Sequence, residues 1–86
     1  MVYSEDKVSS IVYTRLFPED IDASELVWHR DAEDRLLKVL DGGENWLIQL
    51  DNELPKVIDN TYVKKDVYHR LIKGNGYILI ELTKYK

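Results

Sequence analysis

Seven short apolar runs rich in β-branched and aromatic residues divide this chain, each bounded by Gly, Pro, Asn or Asp. They lie at about Ser10–Leu16, Glu25–Arg30, Arg35–Leu40, Asn45–Leu50, Thr61–Val63, Val67–Leu71 and Tyr77–Thr83. Runs of this length are too short for core helices, and their close spacing predicts an all-β sandwich or barrel. Asp31–Leu40 carries weak helical spacing through Glu33, Leu36, Leu37 and Leu40. It leads straight into Gly42-Gly43 and another strand-like run, which favours a strand.

Two turn signals predict hairpins. Asp41-Gly42-Gly43-Glu44 would join Arg35–Leu40 to Asn45–Leu50, and Lys73-Gly74-Asn75-Gly76 would join Val67–Leu71 to Tyr77–Leu82. Glycine supplies the positive φ that such turns demand. Phe17-Pro18-Glu19-Asp20 and Asn52-Glu53-Leu54-Pro55 interrupt the pattern. Pro55 cannot donate to a β-ladder and fits a connection or a strand start.

Eighty-six residues suit one domain, spanning 1–86, with a thin core. A chain of this size covers leftover apolar surface readily by pairing with a second copy, so a homodimer is expected. The net charge of −4, with acidic and basic residues interspersed, argues against nucleic acid as a partner. No cysteine is present, which excludes disulfides and thiolate chemistry. No apolar stretch approaches a signal peptide or a membrane span, so a cytoplasmic protein with no membrane partner is expected. No Gly-x-Ser-x-Gly elbow, phosphate-cradling glycine loop or complete calcium loop occurs.

The chemistry-bearing residues are the two histidines, His29 and His69, with Asp31 two positions beyond the first. On a strand, alternate residues share a face, so His29 and Asp31 project together. Two imidazoles and a carboxylate are suitable ligands for a divalent transition metal and leave coordination positions open. An ordinary hydrogen-bonded histidine pair is the alternative reading of the same residues.

The stretches His29–Gly42 and Asp59–His69 resemble the two motifs of the cupin superfamily. The first motif sets His-x-His ahead of a Glu and then a Gly seven positions on; here His29-x-Asp31 precedes Arg35, and Gly42 lies seven beyond it. In the second, Asp59-Asn60 stands for Gly-Asp, Lys64-x-Asp66 stands for the Pro-x-Gly turn, and His69 matches. The resemblance covers roughly Glu25–Leu82 and is nearest to short stand-alone cupins of bacteria and their viruses. It implies a small double-stranded β-helix barrel, often dimeric, that brings His29, Asp31 and His69 together as metal ligands.

Two of the usual ligand positions differ. Asp31 can still ligate a metal, whereas the guanidinium of Arg35 has no lone pair to offer. Two pictures follow. In one, His29, Asp31 and His69 hold iron, manganese, zinc or nickel, and Arg35 anchors an anionic small molecule. In the other there is no metal, and Arg35 forms a buried ion pair with Asp31 or Asp34 beside the histidines. Gln49 is expected to point into the barrel and contact the same small-molecule ligand. Trp28 and Trp46 are read as core or dimer contacts, and Tyr68 and Arg70 as facing away from His69.

The expected function is a small cupin with a polar pocket that binds or acts on a small anionic metabolite. Whether it is an enzyme stays open, since one fold hosts many activities. The alternative is a non-catalytic binding or assembly module in which the polar cluster ties strands together. A miniature 2-oxoglutarate oxygenase is a third reading, disfavoured because so short a chain barely encloses two substrates.

Overall fold

The computed structural model describes residues 3–85. Its strands are β1 (Ser4–Lys7), β2 (Val12–Phe17), β3 (Asp34–Gly42), β4 (Leu47–Leu50), β5 (Lys56–Val57), β6 (Thr61–Val63), β7 (His69–Ile72) and β8 (Ile78–Tyr85). They form a five-stranded sheet in the order β1-β2-β8-β3-β6 and a three-stranded sheet in the order β5-β4-β7. Every pairing is antiparallel. No helix among the described residues is long and apolar enough to cross a membrane.

Period-two alternation decides which side of each strand meets the core. Ile78, Ile80 and Leu82 of β8 point inward, as do Ile48 and Leu50 of β4. Trp46, Ile48 and Ile78 are almost wholly enclosed, and Trp46 Nε1 donates to the carbonyl of Gly76. Phe17, Leu37 and Val63 complete the layer between the sheets. Burying side chains of this size contributes about 1.5–3 kcal/mol each.

The strand prediction fails over Glu25–Arg30. Residues Ala23–Glu25 form a single 3-10 turn whose N-cap, Asp22, accepts from the Ser24 amide at 2.9 Å. Only His29 in the following segment pairs, as an isolated antiparallel bridge to His69. β1 and β5 are additional strands, short and charged, at sheet edges. Charged edges of this kind discourage pairing with other chains. Pro55 stands immediately before β5, a position where its missing N–H costs nothing.

Neither predicted hairpin forms, although both turns do. β3 and β4 lie in different sheets, as do β7 and β8. Each glycine-rich turn carries the chain across the barrel, and the two turns pack on each other at one end. Gly43 N donates to Tyr77 O at 2.9 Å, and Asn75 N donates to Glu44 O at 2.7 Å. A Cβ on Gly74 would run into the backbone of Glu44–Trp46, so this approach needs glycine. Gly42 has φ +67°, and a side chain there would also meet the Tyr77 carbonyl. A break in register between Val39 and Asp41 bends β3 away just before the crossing. Local turn chemistry specifies the reversal; the inward face of each strand specifies which sheet it enters.

Candidate metal centre

The site is built around the His29–His69 bridge. His29 N donates to His69 O at 3.0 Å and His69 N donates to His29 O at 2.8 Å. This reciprocal pair sets the two side chains directly opposite each other, with ring centroids 4.2 Å apart. Asp31, two residues beyond His29, is held in place through its backbone, where its carbonyl accepts from Asp66 N at 2.9 Å. Asp66 has φ +63°, so it takes the left-handed turn in the position where the second motif carries glycine.

Both imidazoles are oriented by backbone carbonyls. Nδ1 of His29 donates to Val27 O at 3.0 Å, and Nδ1 of His69 donates to Val67 O at 2.9 Å. A carbonyl can only accept, so in the neutral rings these contacts place the proton on Nδ1 and the lone pair on Nε2. Metal-ligating histidines are commonly fixed in this manner. The candidate ligand atoms of His29, Asp31 and His69 all lie within 4.8 Å of one another.

Asp31 Oδ2 lies 3.2 Å from His69 Nε2, with side-chain exposures of 9% and 6%. Burial pushes the His69 imidazolium down from its ordinary value. The Val67 carbonyl and Asp31 oppose this shift, and the charges of His29 and Arg35 add to it. In its neutral form, with Nδ1 protonated, His69 presents a lone pair to the Asp31 carboxylate. Among the described residues, Asp31 Oδ2 is buried with no hydrogen-bond donor. A cation held by both atoms would satisfy both. The donor set, two imidazoles and one carboxylate, suits a divalent first-row metal and leaves positions open.

Arg35, at the start of β3, is engaged by acids on both sides. Its Nη1 lies 3.3 Å from Asp31 Oδ1, while Nε and Nη2 donate to Glu33 Oε1 at 3.1 and 2.9 Å. The guanidinium thus takes one oxygen of Asp31 and leaves the other facing the histidines. Glu33 offsets the positive charge that would otherwise oppose a cation. The ion pair expected with Asp31 forms, but Asp34 is not part of it. Asp34 accepts from the Tyr62 hydroxyl at 2.7 Å and from Lys65 N at 2.8 Å, on the outside of the barrel.

Gln49 does not point into the barrel, contrary to expectation. It alternates with inward-facing Ile48 and Leu50 and so faces outward. Its Oε1 accepts two hydrogen bonds from Arg70, and its amide nitrogen donates to Glu53 O. Arg70, directly across the ladder from Gln49, also stacks over Trp28 at 4.9 Å. Arg70 and half-exposed Tyr68 therefore face away from the cluster, as the alternation predicts. Trp46 is core, and Trp28 lies on this outer face.

A cavity of about 330 Å³ opens beside the cluster, lined by His29, Asp31, Arg35, Arg15, Phe17 and Leu26 among others. A smaller space beneath it reaches His69, with Leu37, Ile80 and Leu82 as its floor. Arg15 was invisible to motif reasoning, but its strand phase could have found it. Arg15 alternates in step with buried Phe17 on β2, so a charged residue stands in an inward position. Its Nε donates to Glu5 Oε1 at 2.6 Å across the β1–β2 ladder. Burial pushes the Glu5 carboxyl up, but the Arg15 hydrogen bond and charge, with Lys84 and Arg35 further off, outweigh this and hold it low.

No family model matches the chain, and no curated protein matches it in sequence. Solved structures do resemble it. The protein NMB1881 from Neisseria meningitidis superposes with a TM-score of 0.62 at 16% identity, over 96% of this chain and 82% of that one. FeII HppE also superposes with a TM-score of 0.62 at 16% identity, over 86% of this chain and 41% of HppE. At such low identity the likeness speaks to the fold alone. The chain folds as a small all-β barrel of the cupin-like, double-stranded β-helix type.

Proposed function

We propose that His29, Asp31 and His69 hold a divalent metal ion, and that the protein is a small metal-binding cupin whose pocket takes a small anionic molecule. The observation that carries this reading is Asp31 Oδ2, buried without a hydrogen-bond donor and 3.2 Å from His69 Nε2. FeII HppE, a structural neighbour, is an iron(II) protein by its name, which agrees with iron as one of the candidate metals. Manganese, zinc and nickel suit the same ligand set. When bound, such an ion supplies Lewis acidity and open positions for a ligand.

The chain's own residues would do the rest. The carbonyls of Val27 and Val67 hold both Nε2 atoms toward the centre. Arg35 fixes the orientation of Asp31, and Glu33 balances its charge. Elemental analysis of untagged protein, purified without added metal, tests the reading. Stoichiometric metal that disappears in His69→Ala supports it.

A second reading rests on the Arg35–Asp31–Glu33 ion pairs. They already tie the start of β3 to the loop before it, and under this reading the cluster serves structure alone in a non-catalytic binding module. Under that reading the protein stays empty when offered iron, manganese, zinc and nickel in turn.

A further inference from the structure

We propose that Arg15, rather than Arg35, anchors the ligand of this pocket, and that the ligand is a small carboxylate with an apolar body. The proposal rests on reading the His29–Asp31–His69 cluster as the polar end of the same pocket.

The two arginines differ in what remains free. Arg35 has Nε, Nη1 and Nη2 all directed at Glu33 and Asp31. Among the described residues, Arg15 hydrogen-bonds through Nε alone, to Glu5. The outer edge of its guanidinium, with two terminal nitrogens, is therefore available as a fork, and a fork matches a carboxylate with two parallel hydrogen bonds. The Arg15 side chain is 16% exposed and lines both the larger cavity and the space beneath it. Strand register puts it on the inner face, opposite Ile80. Its guanidinium carbon lies 4.4 Å from the centroid of the Tyr3 ring. Stacked there and tied to Glu5, the group is already ordered, so little conformational freedom is lost on binding.

The remaining walls define the ligand. Phe17, Leu26, Val27 and Leu71 present apolar surface. A cavity of about 330 Å³ equals roughly eleven water volumes at about 30 Å³ each, room for a molecule of about ten non-hydrogen atoms. Charge argues against a polyanion. Glu5 and Glu33 already offset the two arginines, and Asp31 and Glu25 add further negative charge at the wall. A single carboxylate is therefore held by the local Arg15 fork and not by the net charge of the pocket.

The test uses the ¹⁵N-labelled full chain, titrated with sodium hexanoate and, separately, with neutral hexanamide, and followed by NMR. Zinc binding is measured in parallel. Hexanoate is expected to shift the amides of Leu26 and Leu71 and the Arg15 Nε–H resonance saturably. Hexanamide is expected to bind at least roughly tenfold more weakly, the scale of one charge-assisted hydrogen bond. Arg15→Gln should lose hexanoate by a similar factor while its zinc affinity stays unchanged, and Arg15→Lys should recover only part of the loss. The Arg15 Nε–H response in the unaltered protein carries the test even if a variant fails to fold. Zinc uptake without a hexanoate response, or undiminished hexanoate binding by Arg15→Gln, overturns the proposal and leaves the metal reading standing. Hexanoate binding by a protein that takes up none of zinc, iron, manganese and nickel upholds the proposal and removes the metal reading instead.

Discussion

His29 and His69 are partners through their main chains, each donating to the other's carbonyl at 3.0 and 2.8 Å, so their rings are set side by side by backbone pairing. The pairing does not depend on either imidazole. His29→Ala should therefore keep the fold, the more so because His29 is exposed, and should change the melting temperature little. Zinc affinity should fall by at least the roughly 10- to 100-fold that loss of an outer-shell partner costs. Calorimetric titration alongside thermal melts checks both halves.

Arg35→Gln should be the most damaging change at the site in metal-free protein. It leaves Asp31 and Glu33, with side chains 9% and 20% exposed, without their cation. Breaking a buried pair in this way costs about 3–5 kcal/mol, and the partial exposure of Glu33 argues for the lower end. Urea unfolding of wild type and variant measures the difference.

Acid should loosen the outer clip between β3 and β6. The Tyr62 hydroxyl, and then the Lys65 amide, hold the Asp34 carboxyl below its ordinary value of 3.8. A depressed folded pKa means that the stabilisation is complete above 3.8 and is lost as pH falls through the folded value. Asp34→Asn should remove this contribution at neutral pH and flatten the acid limb of a stability profile taken from pH 5 to pH 2. An unchanged acid limb would show that the clip carries no weight.

The core and the crossing turns make separate claims. Ile48→Ala, at a fully enclosed position, should cost about 2–5 kcal/mol. Leu54→Ala, at a position 85% exposed, should stay within about 0.5 kcal/mol. Gly74→Ala should cost about 1–3 kcal/mol by forcing apart the two turns that pack there. Denaturant midpoints rank the three.

Much of the barrel was legible because strands write their inward face into the sequence. Ile78, Ile80 and Leu82, like Ile48 and Leu50, alternate as buried positions should. Sheet membership was not legible, since Asp41–Glu44 and Lys73–Gly76 read as hairpin turns whether the chain returns to its own sheet or crosses to the other. The edge strands β1 and β5 escaped notice because all their residues are exposed and leave no apolar pattern. His29, Asp31 and His69 were found from residue type and motif order, but the reciprocal bridge that unites them is a tertiary fact. Gln49 was misplaced because Leu47 and Ile48 make both faces of β4 look apolar. Arg15 was missed because no motif contains it.

The most direct test is an anomalous difference map from crystals grown with zinc or iron(II). The account predicts one strong peak, about 2.0–2.2 Å from the Nε2 atoms of His29 and His69 and from Asp31 Oδ2. A fully loaded crystal with no peak among these three side chains would contradict it.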